Sequence, residues 1–202
     1  MKPGLFAKKA VVVAGAMLVL AGSSFAGDVK GKVNVQGLRS AGNIAVYIDA
    51  IPDKKFDPPK EHVVVDQKKM EFIPHVVVIL QGTTVDFSNS DSVGHNVYWP
   101  SISGNKKEGH NLGTWPKGEK RSFTFNTPGV VPLLCNVHPE MSGYIVVTPT
   151  PYFAETDANG NYKIENVPNG KYSVVAWHEG MKTQSKSAEV ASTVTVDFSL
   201  AK

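Results

Sequence analysis

The feature that most constrains this chain is a period of two, broken every few residues by turn-forming pairs. Ile44, Val46 and Ile48 alternate with Asn43, Ala45 and Tyr47, and Phe123 and Phe125 alternate with Ser122 and Thr124. Val194, Val196 and Phe198 alternate with Thr193, Thr195 and Asp197 in the same way. Successive side chains of a strand point to opposite faces, so this pattern specifies strands with one buried face. Short unbroken apolar runs at residues 76–80 and 144–147 fit strands buried inside a sandwich. Gln81-Gly82, Pro116-Lys117-Gly118, Thr127-Pro128-Gly129, Asn159-Gly160 and Pro168-Asn169-Gly170 mark turns. Beyond residue 26 no segment keeps a helical period for three turns. The expected fold class is all-β, arranged as two sandwiches.

The N-terminus reads as an export signal. Lys2, Lys8 and Lys9 form a positive segment, residues 10–21 an apolar core, and Ser24-Phe25-Ala26 a cleavage site ahead of Gly27. The apolar core is shorter than the ~20 residues of a membrane span. Residues 1–26 are therefore expected to be a signal peptide. The mature chain is then soluble, in a bacterial periplasm or outside the cell, with no membrane span. The signal also carries the chain's excess charge. Removing its three lysines from the 21 basic side chains leaves 18, equal to the 18 acids. A nucleic-acid partner loses its electrostatic basis.

Cys135 is the single cysteine. It has no intramolecular partner, so it is a buried thiol, an intermolecular bridge or a ligand. Its neighbours favour the last. In Cys135-Asn136-Val137-His138-Pro139-Glu140-Met141, a thiol, an imidazole and a thioether follow one another at intervals of three. A second imidazole, His95, stands 40 residues upstream in Asp91-Ser92-Val93-Gly94-His95-Asn96. Two imidazoles and a thiolate in a plane, with a weak axial thioether, are the donor set of a blue-copper site. Met141 could also be a core gap filler, and Glu140 offers an oxygen in its place.

These residues carry a family resemblance. Residues 56–148 resemble a cupredoxin of the plastocyanin and amicyanin type, through Phe72-Ile73-Pro74, residues 82–89, His95-Asn96 and Cys135-x-x-His138-x-x-Met141. The short His-to-Met spacing is that of amicyanin, whereas plastocyanin has a longer one. The resemblance implies a Greek-key sandwich holding one type 1 copper ion on His95, Cys135, His138 and Met141. It also implies that Asn96 ties the two ligand loops together. His138 would be the electron exit within an apolar surface patch, with Pro139, Pro132 and Leu133 at its rim. Redox proteins would be the partners, and the protein would be a carrier and not an enzyme.

A second resemblance lies on either side of the first. Thr156-Asp157-Ala158-Asn159-Gly160-Asn161-Tyr162 and Val167-Pro168-Asn169-Gly170-Lys171-Tyr172 resemble carboxypeptidase-regulatory-like (prealbumin-like) domains, as does the strand around Val29–Val33. Residues 27–55 and 151–202 are each too small to bury a core alone. The expectation is one small β-domain made of both, interrupted by a copper domain at 56–150.

Rival readings are weaker. Copper storage, delivery or sensing would use the same ligands, but the chain has no Met-rich or His-rich tract. An oxidase needs a second metal centre, and no His-x-His pair is present. Cys135 and His138 lack a cysteine-protease context. Asp157, Asn159 and Asn161 open like a calcium loop, but Tyr162 stands where such a loop requires glycine. His62, His75, His110 and His178 are isolated, with His110 expected at the surface and His178 at a strand end. An adhesion or scaffold role for the second domain is compatible with electron transfer.

Overall fold

The computed structural model describes residues 26–38 and 40–202. The expected signal segment, apart from Ala26, lies outside the described residues. Strands β1 (Ala26–Val35) and β2 (Ala45–Ile48) come first among the described residues. Nine strands follow: β3 (Val63–Lys68), β4 (Glu71–Ile73), β5 (Val76–Leu80), β6 (Thr84–Asn89), β7 (His95–Trp99), β8 (His110–Trp115), β9 (Lys120–Thr124), β10 (Gly129–Leu134) and β11 (Ser142–Thr148). The chain closes with β12 (Phe153–Glu155), β13 (Asn161–Pro168), β14 (Gly170–Trp177), β15 (Gln184–Val190), β16 (Val194–Thr195) and β17 (Phe198–Leu200). A single 3₁₀ turn, Lys106–Glu108, is the only helical element among the described residues. No helix there is long and apolar enough to cross a membrane.

The strands form four sheets. β4-β3-β6-β9 faces β5-β11-β10-β7-β8, enclosing a core that includes Val65, Phe87, Trp99, Phe125, Leu133 and Ile145. The remaining sheets are β12-β2-β14-β15 and one in which β1 lies between β13 and β16, with β17 also on β1. Their core includes Val29, Val33, Ile48, Val174 and Phe198. The N-terminal strands are interior members of these sheets. β1 pairs antiparallel with β13 and parallel with β16 and β17, while β2 lies between β12 and β14.

The unbroken apolar runs follow from the stacking of the two units. Val77, Ile79, Ile145 and Val147 point into the first core. Their alternates Val76, Val78, Tyr144 and Val146 join Ala45 and Trp177 in a cluster between the two units. A strand buried on both faces has no polar side to display, so alternation disappears. At this seam the ring of Tyr144 lies 5.4 Å from that of Trp177. His75 Nε2 pairs with the Glu179 carboxylate at 2.8 Å. Glu155 on edge strand β12 accepts the Val78 N–H of edge strand β5 at 3.2 Å. Burial pushes its carboxyl above the usual range, against the pull of that hydrogen bond.

The Asn159-Gly160 turn carries the chain from β12 to β13, which lie in different sheets and do not pair with each other, and its donors are used internally. The Asp157 carboxylate accepts the N–H groups of Asn159 and Asn161 and the Asn161 side-chain amide. Gly160 has φ +84° and its position lies against the Val33 carbonyl, where a Cβ would stand only 2.2 Å from the oxygen. Only glycine fits there.

Candidate metal centre

β7 and β10 run antiparallel, with Leu134 opposite Tyr98. His95 opens β7 and Cys135 follows the last residue of β10, so both reach the same end of the sandwich. The chain then loops through residues 135–141, closed by Met141 N–H donating to the His138 carbonyl at 3.0 Å, and enters β11 at Ser142. One donor atom from each of His95, Cys135 and His138 lies within 4.8 Å of the other two. Among the described residues this is the one such group of three. His95, Cys135 and Met141 are buried, while His138 is partly exposed.

The donor chemistry fits copper. Thiolate and imidazole together serve both of its common oxidation states. Met141 turns inward to 1 % exposure, whereas Glu140 is exposed and lines a cleft of about 300 Å³ with Glu71 and His75. Neighbouring residues face opposite ways here, which favours the thioether over the carboxylate as fourth donor.

Asn96 links the two segments in both directions. Its backbone N–H donates to Cys135 Sγ at 3.4 Å, and its side-chain oxygen accepts Asn136 N–H at 3.2 Å. Its amide nitrogen donates to Asn111 Oδ1 and the Gly113 carbonyl. A buried amide with all these partners fixes the separation of the two loops.

The loop before β7 holds a residue that sequence reasoning missed. Asp91 Oδ2 accepts from His95 Nε2 at 2.8 Å. The same carboxylate accepts the backbone N–H groups of Lys69 and Met70, the turn joining β3 to β4, at 2.6 and 2.9 Å. Hydrogen bonds from Met70 first, then Lys69 and His95, hold the Asp91 carboxyl below the usual carboxylate range against the effect of its burial. Lys69 and Met70 both have positive φ, +57° and +59°. That conformation costs non-glycine residues about 1 kcal/mol each, and the carboxylate offsets it. Asn89, buried beside this loop, accepts Asp91 N–H and donates to the Val93 and Trp115 carbonyls. The only hint in the sequence was the four-residue step from Asp91 to His95, and that step is commonplace.

The surface around His138 differs in part from expectation. Pro139 is exposed, and Pro132 is partly so. Leu133 is not at the rim: it is 1 % exposed and belongs to the core, because its place on β10 alternates inward. Met70, Val93 and Val137 are instead the exposed apolar residues borne by the segments that form the site. The other histidines have separate settings. His62 bonds Asp86 and His75 bonds Glu179. His110 is exposed yet lies against the rings of Trp99 and Phe123. His178 follows β14, and burial lowers its pKa.

Residues 59–148 match the profile of the copper binding proteins of the plastocyanin/azurin family. Amicyanin from Paracoccus versutus is 33% identical over 92 residues, covering 45% of this chain and 68% of that protein. The chain belongs to this copper-binding family. Amicyanin-alpha from Methylorubrum extorquens is 36% identical over 81 residues, which is 39% of this chain and 66%, just under two thirds, of that protein. Solved structures of amicyanin variants, in oxidised and Cu(I) forms, share 25% and 26% identity, each covering 48% of this chain and 96% of the other, with a TM-score of 0.40. Residues 143–201 match the carboxypeptidase regulatory-like domain. The protein is a cupredoxin joined to a carboxypeptidase-regulatory-like domain. Strands β1 and β2, outside the second match in sequence, pair with its strands β13, β12 and β14.

Proposed function

We propose that this protein is an exported one-electron carrier that holds a single type 1 copper ion on His95, Cys135, His138 and Met141. The observation that carries the reading is the convergence of three donors within 4.8 Å, with the buried Met141 thioether in the same loop. Bound copper would supply the Cu(I)/Cu(II) couple. The chain's own residues supply the rest. Asn96 keeps the two ligand loops at fixed separation, and its N–H to Cys135 Sγ tempers the sulfur's electron donation. Four donors from the chain leave no position for a substrate, so the protein is a carrier and not an enzyme.

The partly exposed His138 is the electron exit, and Pro139, Val137, Val93 and Met70 make the apolar surface on which redox proteins dock. With equal numbers of acidic and basic side chains after signal removal, docking depends on this surface more than on long-range attraction. Residues 1–26 direct export to the periplasm. Residues 27–55 and 151–202 form one discontinuous regulatory-like domain, a reading supported by the interior positions of β1 and β2 in its sheets.

Voltammetry of the copper-loaded protein tests the carrier role, beside copper retention against a Cu(I) chelator. A reversible one-electron wave with copper retained is expected. Rapid loss of Cu(I) to the chelator would replace the carrier with a storage or delivery protein.

A further inference from the structure

We propose that the cleft where the two units meet, far from the metal donors, binds a small neutral phenol, an apolar ring bearing one hydroxyl. The cleft has a volume of about 330 Å³. Val63, Val78 and Leu80 of the cupredoxin line it together with Pro151 and Phe153 of the regulatory-like unit. β6 starts beside this cleft, where Val85 pairs with Val63, and runs to Asn89 in the direction of the loop before His95. The cleft and the donors therefore lie at opposite ends of the sandwich.

Thr83 supplies the polar contact. It lines the cleft and is 1 % exposed, and its hydroxyl oxygen has no hydrogen-bond partner. The fold makes no use of that hydroxyl. The turn from β5 to β6 is held by backbone groups, with Thr83 N–H donating to the Leu80 carbonyl at 3.1 Å and the Thr83 carbonyl accepting Phe125 N–H at 3.0 Å. Valine would serve the same turn without burying an idle polar group, which is unfavourable. A threonine side chain turns between staggered wells about its Cα–Cβ bond. An acceptor in the cleft can thus draw the hydroxyl toward itself.

Size and charge narrow the occupant. Small-molecule sites favour junctions between domains, and this volume is at their lower end, which suits a single ring. No basic side chain lines the cleft, so nothing there holds an anion. Asp57 lines it too, and a carboxylate can only accept. A phenolic hydroxyl can donate to one of these groups and accept from the other.

Methyl proton–carbon spectra of the mature chain, titrated with phenol and separately with benzene, read the site directly. The methyl signals of Val63, Val78 and Leu80 are expected to shift saturably with millimolar phenol, and benzene to bind about threefold to tenfold more weakly. Thr83→Val is expected to lower phenol affinity to that of benzene while leaving benzene binding unchanged, and Thr83→Ser to restore much of the difference.

Shifts that spread over both cores without saturating would overturn the proposal without any variant, as would equal native affinities for phenol and benzene. So would a Thr83→Val chain that binds phenol as the native chain does.

Discussion

Nδ1 of His138 lies 2.9 Å from Nδ1 of His95, the two rings meeting at 64° with centroids 4.6 Å apart. Together with the Cys135 thiol, the two imidazoles converge on one point at the end of the sandwich. Donors fixed by the fold in this way suit the proposed role, in which copper would change oxidation state with small reorganisation.

The role of Met141 separates a ligand from a packing residue. Met141→Leu nearly conserves volume, so the metal-free protein should lose less than about 1.5 kcal/mol in urea unfolding. If the thioether donates to copper, its loss removes electron density that favours Cu(II), and the reduction potential rises. An unchanged potential with unchanged stability would assign Met141 to packing alone.

Asn96 should matter for stability even without metal. Asn96→Ala removes three side-chain hydrogen bonds and leaves the Asn136 N–H and the Gly113 carbonyl without those partners. The expected cost is about 2 to 3 kcal/mol, measured by denaturant unfolding of the metal-free chain. A loss under about 0.5 kcal/mol would mean that water replaces the amide.

Acid sensitivity should include a contribution far from the copper loop. Asp86 is held down to about 2 by Lys120, then Ser122 and His62, against the effect of its burial. A folded value below the unfolded one gives stability that is present above about pH 4 and lost as pH falls toward 2. The shift sets a ceiling of about 2 kcal/mol, reduced to about 1 because Lys120 is largely exposed. Asp86→Asn should therefore destabilise the protein by about 1 kcal/mol at neutral pH, with the difference closing below pH 2. A constant difference across this range would exclude the ionic explanation.

The sequence displayed the strands and the Cys135–Met141 loop because both are written in local spacing. Period-two alternation marks a face, and three donors within seven residues mark a site. What it concealed depends on burial from two sides or on partners distant in the chain. Leu133 looked like rim because an apolar residue beside a ligand can face either way until the strand's register is known. Asp91 looked like an ordinary polar loop residue, since the N–H groups it accepts, of Lys69 and Met70, come from a turn 22 and 21 residues earlier. The apolar run at residues 76–80 fitted a buried strand, but nothing in it says that its second face meets Trp177 of another unit.

The thiolate–copper bond is the central claim, and spectra of the Cu(II)-loaded mature chain beside Cys135→Ser test it most directly. An intense blue absorption band with narrow copper hyperfine splitting is predicted for the native protein, both absent from the variant. A pale native spectrum that Cys135→Ser leaves unchanged would contradict the account, since copper would then be held without the sulfur.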